Sequence, residues 1–155
     1  MKIVNDTNKK FNEGDLNSHQ SVMAIIYNQY NQILMLGHNK FKEKGFKAFT
    51  MPVGKVDEGD SVKGTLFKEV KEEIGVDITK YHEVDVYEHS LIRHDKRIDV
   101  ELHTFKVEMY ELTPFNAEPK KHYALQWHSL KQIEKNPEDY LSMNIAVLKR
   151  LKLIK

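Results

Sequence analysis

The clearest structural pattern of this chain lies in residues 54–76, GKVDEGDSVKGTLFKEVKEEIGV. Its second half predicts a helix over residues 61–74, because apolar side chains recur there at the spacing that places them on one helix face. Asp60 or Ser61 can cap the start of this helix, and Gly75 stands where a C-terminal capping glycine belongs. The apolar face consists of Leu66, Phe67, Val70 and Ile74.

Three carboxylates share another face of the predicted helix. Glu69, Glu72 and Glu73 stand at i, i+3 and i+4, and like charges at these spacings destabilise a helix. A solvated helix face is one interpretation. However, the acidic face lies beside the apolar face and would line a cleft at the edge of the core. Converging carboxylates in a chain without cysteine favour Mg²⁺ or Mn²⁺, which take oxygen ligands and accompany phosphate substrates.

The segment before the helix is rich in turn residues. Pro52 sets a turn, Gly54 permits a backbone angle forbidden to other residues, and Gly59 leads the chain into the helix. The Gly54 carbonyl is a candidate metal ligand, and Lys55 is placed to meet a phosphate oxygen. This loop and the acidic helix therefore predict one phosphate-handling site.

Composition limits the other function classes. The chain has 155 residues, 40% of them hydrophobic, which predicts one globular domain. Twenty-four Lys and Arg against 23 Asp and Glu exclude nucleic-acid binding through bulk positive charge, although a local basic groove is compatible with them. The absence of cysteine excludes disulfides, thiolate zinc sites, iron–sulfur clusters and a cysteine nucleophile.

The remaining segments alternate between strand and loop patterns. A slip in the alternation after Thr104 is interpreted as a β-bulge or as an imperfect pattern, and a second helix is predicted from about Pro137. Residues 1–18 are interpreted as a flexible arm or a short edge strand, and residues 19–155 as a single domain. We therefore predict an α+β fold, an α/β/α sandwich of a mixed sheet flanked by helices. Strands are predicted over residues 21–27, 33–37, 83–92, 99–112 and 124–130.

Residues 54–76 resemble the Nudix (MutT-like) box, G-x5-E-x7-R-E-U-x-E-E-x-G-U, in which U is apolar. Two positions depart from the pattern: Asp60 stands in place of Glu, and Lys68 in place of Arg. Lysine lacks the bidentate fork that arginine offers a carboxylate, so Glu69 is expected to be held less rigidly. The matching positions are Gly54, Glu69, Val70, Glu72, Glu73, Gly75 and Val76.

A second segment, residues 116–127, is similar to a stretch of Nudix enzymes that act on nucleoside triphosphates, including oxidised ones. In those enzymes an acidic residue of this loop adds a carboxylate to the metal site. Glu118 is the matching candidate, with a solvated loop residue as the alternative. Trp127 is interpreted as a core residue, with base stacking as the alternative.

The resemblance implies Mg²⁺-dependent hydrolysis, with Mn²⁺ as an alternative ion. Glu69 or Glu73 is the implied general base, and Phe49, Lys55 and Lys68 are candidate substrate contacts. Phe49 belongs to the basic, phenylalanine-containing segment that starts at Lys40, whose alternative interpretation is a mobile loop. The implied metal ligands are Gly54, Glu69, Glu72, Glu73 and Glu118.

Substrate class rests on weaker signals. Residues 89–93 lack the proline and the tyrosine typical of Nudix enzymes for ADP-ribose and for dinucleoside polyphosphates, respectively. We therefore expect a nucleoside triphosphate to be cleaved to the monophosphate and pyrophosphate, with 8-oxo-dGTP as one hypothesis. The alternatives are ADP-ribose, a dinucleoside polyphosphate, an RNA 5′ cap, or a nucleotide sensor with little turnover.

The expected partner is a small nucleotide. The sequence predicts no membrane interaction and no nucleic acid other than a capped RNA 5′ end, and it is compatible with a homodimer. No apolar run reaches the roughly 18–20 residues of a membrane span, and residues 1–16 lack the apolar region of a signal peptide, so a cytoplasmic location is expected.

Overall fold

The computed structural model describes residues 2–4 and 18–155. Residues 2–4 form a short edge strand, which agrees with one of the two interpretations of the N-terminal segment. The flexible arm expected there otherwise lies outside the described residues.

The strands are β1 (Lys2–Val4), β2 (Ser18–Tyr27), β3 (Gln32–His38), β4 (Phe49–Thr50), β5 (Val53–Lys55), β6 (Lys80–Arg93), β7 (Lys96–Glu108) and β8 (His122–Ser129). The helices are α1 (Val62–Ile74), α2 (Leu130–Lys135) and α3 (Ser142–Arg150), with a 3₁₀ turn at Pro137–Asp139.

The described strands form one mixed sheet. Its main path runs β1-β6-β7-β2-β3-β4. Two strands pair outside this path: β5 pairs with residues 21–23 of β2, and β8 pairs with β3. Among the pairings between two strands of the described residues, only β2–β7 is parallel. Because β5 pairs with the first half of β2, the segment that follows it starts beside the centre of the sheet.

Helices cover both faces of this sheet, which confirms the predicted sandwich of a mixed sheet flanked by helices. On one face, α1 buries Leu66, Val70 and Ile74 against β2, β3 and β7. On the other face, Ile133 of α2 and Val147 of α3 pack on a second core cluster. Phe67, which we had placed on the apolar face of α1, is 37% exposed.

The slip in the β7 pattern has a cause different from the one predicted. Val100 and Leu102 belong to the core beneath α2 and α3, whereas Phe105 and Val107 belong to the core beneath α1. The covered face therefore changes along an unbroken β7. The bulge lies in the partner strand, where β6 shifts register between Glu83 and Asp85 opposite this point.

Two element boundaries differ from the prediction at the C-terminal end. Leu130, predicted as the end of a strand, begins α2, because the Ser129 hydroxyl accepts a hydrogen bond from the Gln132 amide at 3.0 Å and caps the helix. The last helix begins at Ser142, since Pro137 starts only a 3₁₀ turn.

Candidate active site

Helix α1 is fixed at both ends by local contacts. The Ser61 side chain accepts a hydrogen bond from the Gly64 amide at 2.9 Å, so Ser61 is the N-cap. At the other end Gly75 has φ of 72°, and its amide donates to the Lys71 carbonyl. The buried apolar stripe of the helix then sets which carboxylates face the cleft.

Glu69 lies directly against Gly54 on β5. A Cβ atom built on Gly54 would stand closer than 3.0 Å to the Glu69 side chain, so the glycine provides the space that this carboxylate fills. Glu69 is half-buried. Burial raises the pKa of Glu69, and the neighbouring Glu72 charge raises it further.

Glu73 is the most buried carboxylate of the helix, at 2% exposure. Burial raises the pKa of Glu73 to about 8, against the opposing effect of the Lys121 ammonium. Lys121 Nζ lies 3.4 Å from Glu73 Oε1, whereas Glu73 Oε2 is buried without a hydrogen-bond partner. Such an unpaired buried oxygen is costly, which is a mark of a functional site.

The loop after β7 brings Glu118 to this helix. The Phe115 amide donates to the Ile74 carbonyl and the Ala117 amide to the Glu73 carbonyl, both at 3.1 Å. The Glu118 amide donates to the Asn116 side chain at 3.2 Å. The Glu118 charge makes a small contribution to the raised pKa of both Glu69 and Glu73.

The donor set fits a hard divalent cation. Glu118 Oε1 is buried without a hydrogen-bond partner, as is Glu73 Oε2, and Glu69 fills the cradle at Gly54. Unpaired carboxylate oxygens of this kind suit Mg²⁺ or Mn²⁺. Among residues 2–4 and 18–155, no three potential ligand side chains already form a metal-binding group. The Lys121 ammonium, 3.9 Å from Glu118 Oε1, supplies the positive charge in this arrangement.

For Glu72 and Gly54, no contact among the described residues identifies the metal-ligand role that was predicted from the sequence. Glu72 is exposed on α1, one turn from Glu69, and adds its charge to the cleft. Gly54 is assigned to the site through its contact with the Glu69 side chain.

The three candidate substrate contacts differ in accessibility. Lys55 is exposed at the end of β5, and Lys68 is exposed and paired with Asp57 at 3.6 Å. Phe49 is 6% exposed, and its ring lies edge-on to His128 at 4.7 Å. The prediction for Phe49 is therefore corrected: it is a core residue without an open ring face. Trp127 packs against the core beneath α1, as interpreted from the sequence.

An open cavity of about 650 Å³ includes Lys121, the ion-pair partner of Glu73, among its lining residues, and sequence analysis missed it as a unit. Two hydrogen bonds join the two segments that line it. The backbone amide of Asn39 donates to the Lys121 carbonyl, and the side-chain amide of Asn39 donates to the Lys120 carbonyl. The basic segment from Lys40 supplied one signal for this cavity, but its approach to residues 120–121 depends on the fold. The lining residues are His38, Asn39, Lys40, Phe41, Lys120 and Lys121.

Three histidines of the described residues are buried: His89, His122 and His128. His122 lies beside the cavity, with its ring edge-on to His38 at 5.5 Å. Burial and, to a smaller extent, the Lys121 charge lower the pKa of His122 to about 4. His122 is therefore uncharged at neutral pH.

Comparison with known proteins identifies the family of this site. The sequence profile of the NUDIX domain matches residues 17–148. The chain belongs to this family. The assignment made from residues 54–76, to the Nudix hydrolases, is thereby confirmed. No curated protein matches the chain in sequence.

Solved Nudix structures share the fold at low sequence identity. A MutT NUDIX hydrolase from Burkholderia pseudomallei is 20% identical, with 85% of this chain and 96% of that chain covered at a TM-score of 0.68. The dihydroneopterin triphosphate pyrophosphohydrolase of E. coli is 20% identical, with 84% and 92% covered at 0.63. An Ap4A hydrolase from C. elegans is 16% identical, with 87% and 96% covered at 0.61. These likenesses show the Nudix fold.

None of the helices in the described part of the chain has the length and apolar character that crossing a bilayer requires.

Proposed function

We propose that this Nudix protein is a divalent-metal-dependent pyrophosphohydrolase that cleaves a nucleoside triphosphate to the monophosphate and pyrophosphate. The observation that carries the proposal is the convergence of Glu69, Glu73 and Glu118, two of them with buried unpaired oxygens, beside a lysine-lined cavity. Carboxylates that hold a cation next to lysines suit a polyanionic phosphate chain.

Each group of the site has a distinct task in this proposal. Glu72, Glu73, Glu118 and the Gly54 carbonyl are the groups that would hold Mg²⁺ or Mn²⁺. When bound, the ion neutralises charge on the phosphate chain and makes water more acidic. Glu69 accepts the proton of the attacking water, because it is half-buried at the cleft whereas Glu73 is turned into the protein toward Lys121.

The lysines select the substrate by charge. Lys40 and Lys120 line the cavity, and Lys55 is exposed on the strand that carries Gly54. Positive groups on both sides of the carboxylates favour a ligand with several consecutive phosphates over one with a single phosphate. The triphosphate named in the E. coli structure supports this class, whereas the C. elegans hydrolase supports a dinucleoside polyphosphate as the alternative.

The test is a product assay with a panel of nucleotides at saturating Mg²⁺. We expect monophosphate and pyrophosphate from canonical or oxidised nucleoside triphosphates, and a loss of at least roughly 100-fold in kcat for Glu73→Gln, since a ligand of the cation is neutralised. Glu111→Gln, an exposed loop variant, is the matched control and should retain full activity.

The products discriminate between the candidate functions. Cleavage of ADP-ribose, diadenosine polyphosphates or capped RNA without cleavage of any triphosphate would contradict the proposed substrate class. It would not contradict the proposed metal site. Tight nucleotide binding without any turnover would identify a sensor and would contradict the enzyme proposal.

A further inference from the structure

The side chain of Lys121 joins the carboxylate site to the cavity. Its ammonium lies 3.4 Å from Glu73 Oε1 and 3.9 Å from Glu118 Oε1, and the same residue lines the cavity. Its side chain is 43% exposed, whereas that of Glu73 is 3% exposed. The charged end of a partly exposed side chain therefore contacts a carboxyl group that is almost completely buried.

The backbone of Lys121 is held in place on both sides. Its amide donates to the Glu118 carbonyl at 2.9 Å, and its carbonyl accepts from the Asn39 amide at 2.9 Å. Any large movement of the charge must come from the flexible four-carbon stem. From this anchored position the ammonium can lie on the carboxylates or in the adjoining cavity.

A divalent cation and this ammonium compete for the same oxygens. Glu73 Oε1 and Glu118 Oε1 each form an ion pair with Lys121, whereas Glu73 Oε2 and Glu118 Oε1 are buried without a hydrogen-bond partner. Two positive charges within one carboxylate cluster repel each other strongly at these distances. We therefore expect a bound metal ion to displace the ammonium.

We propose that Lys121 is an exchange residue, which neutralises Glu73 and Glu118 in the metal-free protein and turns into the cavity to bind a substrate phosphate when a divalent cation takes its place. This inference rests on the proposed function, because it uses the same cation and the same phosphate chain. In the cavity the ammonium joins Lys40 and Lys120. A phosphate there draws Lys121 away from the carboxylates, so metal and phosphate binding strengthen each other.

The first test measures Mn²⁺ affinity of the full chain without nucleotide, by calorimetry or by electron paramagnetic resonance of free Mn²⁺. At a pH at which Glu73 is ionised, Lys121→Met removes the competing charge, and we expect Mn²⁺ to bind about fivefold more tightly, the factor that corresponds to one partly exposed ion pair. Lys120→Met is the matched control, because Lys120 lines the cavity but has no ion pair with Glu73 or Glu118 among the described contacts. Its Mn²⁺ affinity should equal that of the wild type.

The second test measures binding of inorganic triphosphate at saturating Mn²⁺. Lys121→Met should bind inorganic triphosphate about fivefold more weakly than the wild type does, because the variant loses one ion pair with a phosphate. This change equals the one expected for Mn²⁺ affinity in size and is opposite in direction. Lys121→Arg, which keeps the positive charge, should restore the weaker Mn²⁺ binding of the wild type. A residue with a merely structural role would lower both affinities together.

The outcomes separate this inference from the proposed function. Wild-type protein that binds no Mn²⁺ would contradict both. Equal or weaker Mn²⁺ binding by Lys121→Met and by a second variant, Lys121→Gln, would overturn only the exchange role of Lys121. Unchanged binding of triphosphate in Lys121→Met, or its absence in the wild type, would overturn the predicted move into the cavity.

Discussion

At the scale of single residues, the space left by Gly54 determines where Glu69 can lie. The side chain of Glu69 fills the position that a Cβ atom on residue 54 would need. The proposed proton acceptor therefore depends on the absence of one methyl group on a neighbouring strand. Sequence analysis assigned Gly54 to the site through its carbonyl and missed this contact, because it joins residues that are 15 positions apart in the chain.

Gly54→Ala should lower kcat by roughly 10- to 100-fold, because a displacement of a reacting group by about 1 Å has an effect of this size. The fold should persist, since Glu69 is a partly exposed side chain that can move aside. Steady-state kinetics and thermal unfolding measure the two effects. Glu69→Ala is the reference background, in which Gly54→Ala should cause no further loss. Additive losses in the double variant would show that Gly54 acts independently of Glu69.

The buried His122 makes stability depend on pH. Burial holds the pKa of His122 at about 4, below the 6.5 of an unfolded chain, so the unfolded state binds more protons between these values. The contribution to stability is complete above pH 6.5 and is lost as the pH falls toward 4. His122→Gln should flatten this dependence by up to about 1.4 kcal/mol per pH unit. Urea unfolding between pH 4.5 and 7 measures it.

His82→Gln is the control for this prediction, because His82 is exposed on β6. Its unfolding free energy should follow that of the wild type at each pH. Parallel curves for His122→Gln and the wild type would contradict the role given to burial of His122.

At the scale of elements, the site is formed where the loop after β7 meets the end of α1. Gly75 ends the helix at φ of 72°, and a Cβ atom there would stand closer than 3.0 Å to the Phe115 ring. The amides of Phe115 and Ala117 bind the last helical carbonyls, and this docking carries Glu118 to the cleft. The helix end therefore positions Glu118, a proposed metal ligand that is distant in sequence.

Gly75→Ala should destabilise the protein by roughly 1–2 kcal/mol, from the left-handed backbone and from the lost docking of the loop. It should also weaken Mn²⁺ binding, since Glu118 moves with the loop. Thermal unfolding and Mn²⁺ titration measure these effects. Gly45→Ala has the same kind of backbone, φ of 83°, with no neighbouring atom within 4 Å. It should lower stability alone, and an equal loss of Mn²⁺ affinity in both variants would contradict the docking role.

Local patterns predicted α1 well because its determinants are adjacent in sequence: a capping serine, an apolar face and a terminal glycine. They predicted β7 less well, since its apolar residues switch faces at Thr104 and Phe105. That switch depends on which helix covers each half of the strand. A periodicity argument assumes one covered face, and therefore interpreted the change as a bulge.

At the scale of the whole molecule, the site combines three segments that are separated along the chain. β5 supplies Gly54, α1 supplies three carboxylates, and the loop before β8 supplies Glu118 and Lys121. The resemblance of residues 54–76 indicated the first two segments and residues 116–127 the third. It did not indicate that Lys121 lies between Glu73 and Glu118, or that Phe49 faces the second core, because both depend on how the sheet is assembled.

A buried asparagine connects the second core to the segment that carries Gly54. Asn144 of α3 is 1% exposed, and its Oδ1 accepts a hydrogen bond from the Met51 amide at 2.7 Å. Its Nδ2 donates to Thr50 Oγ1 and to the Leu141 carbonyl, both at 3.1 Å. Helix α3 thereby holds the end of β4, from which the chain runs through Pro52 to the site on the opposite face of the sheet.

Asn144→Ala should cost roughly 3 kcal/mol of unfolding free energy, because it leaves the buried Met51 amide without its acceptor. Val147→Ala removes apolar contacts of the same helix and should cost a similar roughly 2–3 kcal/mol. The two variants therefore separate stability from positioning. Urea unfolding measures the first, and kcat at a temperature where both variants are folded measures the second. Asn144→Ala should lower kcat severalfold more than Val147→Ala, since only Asn144 holds the backbone leading to Gly54. Equal losses of activity would show that α3 supports the site through stability alone.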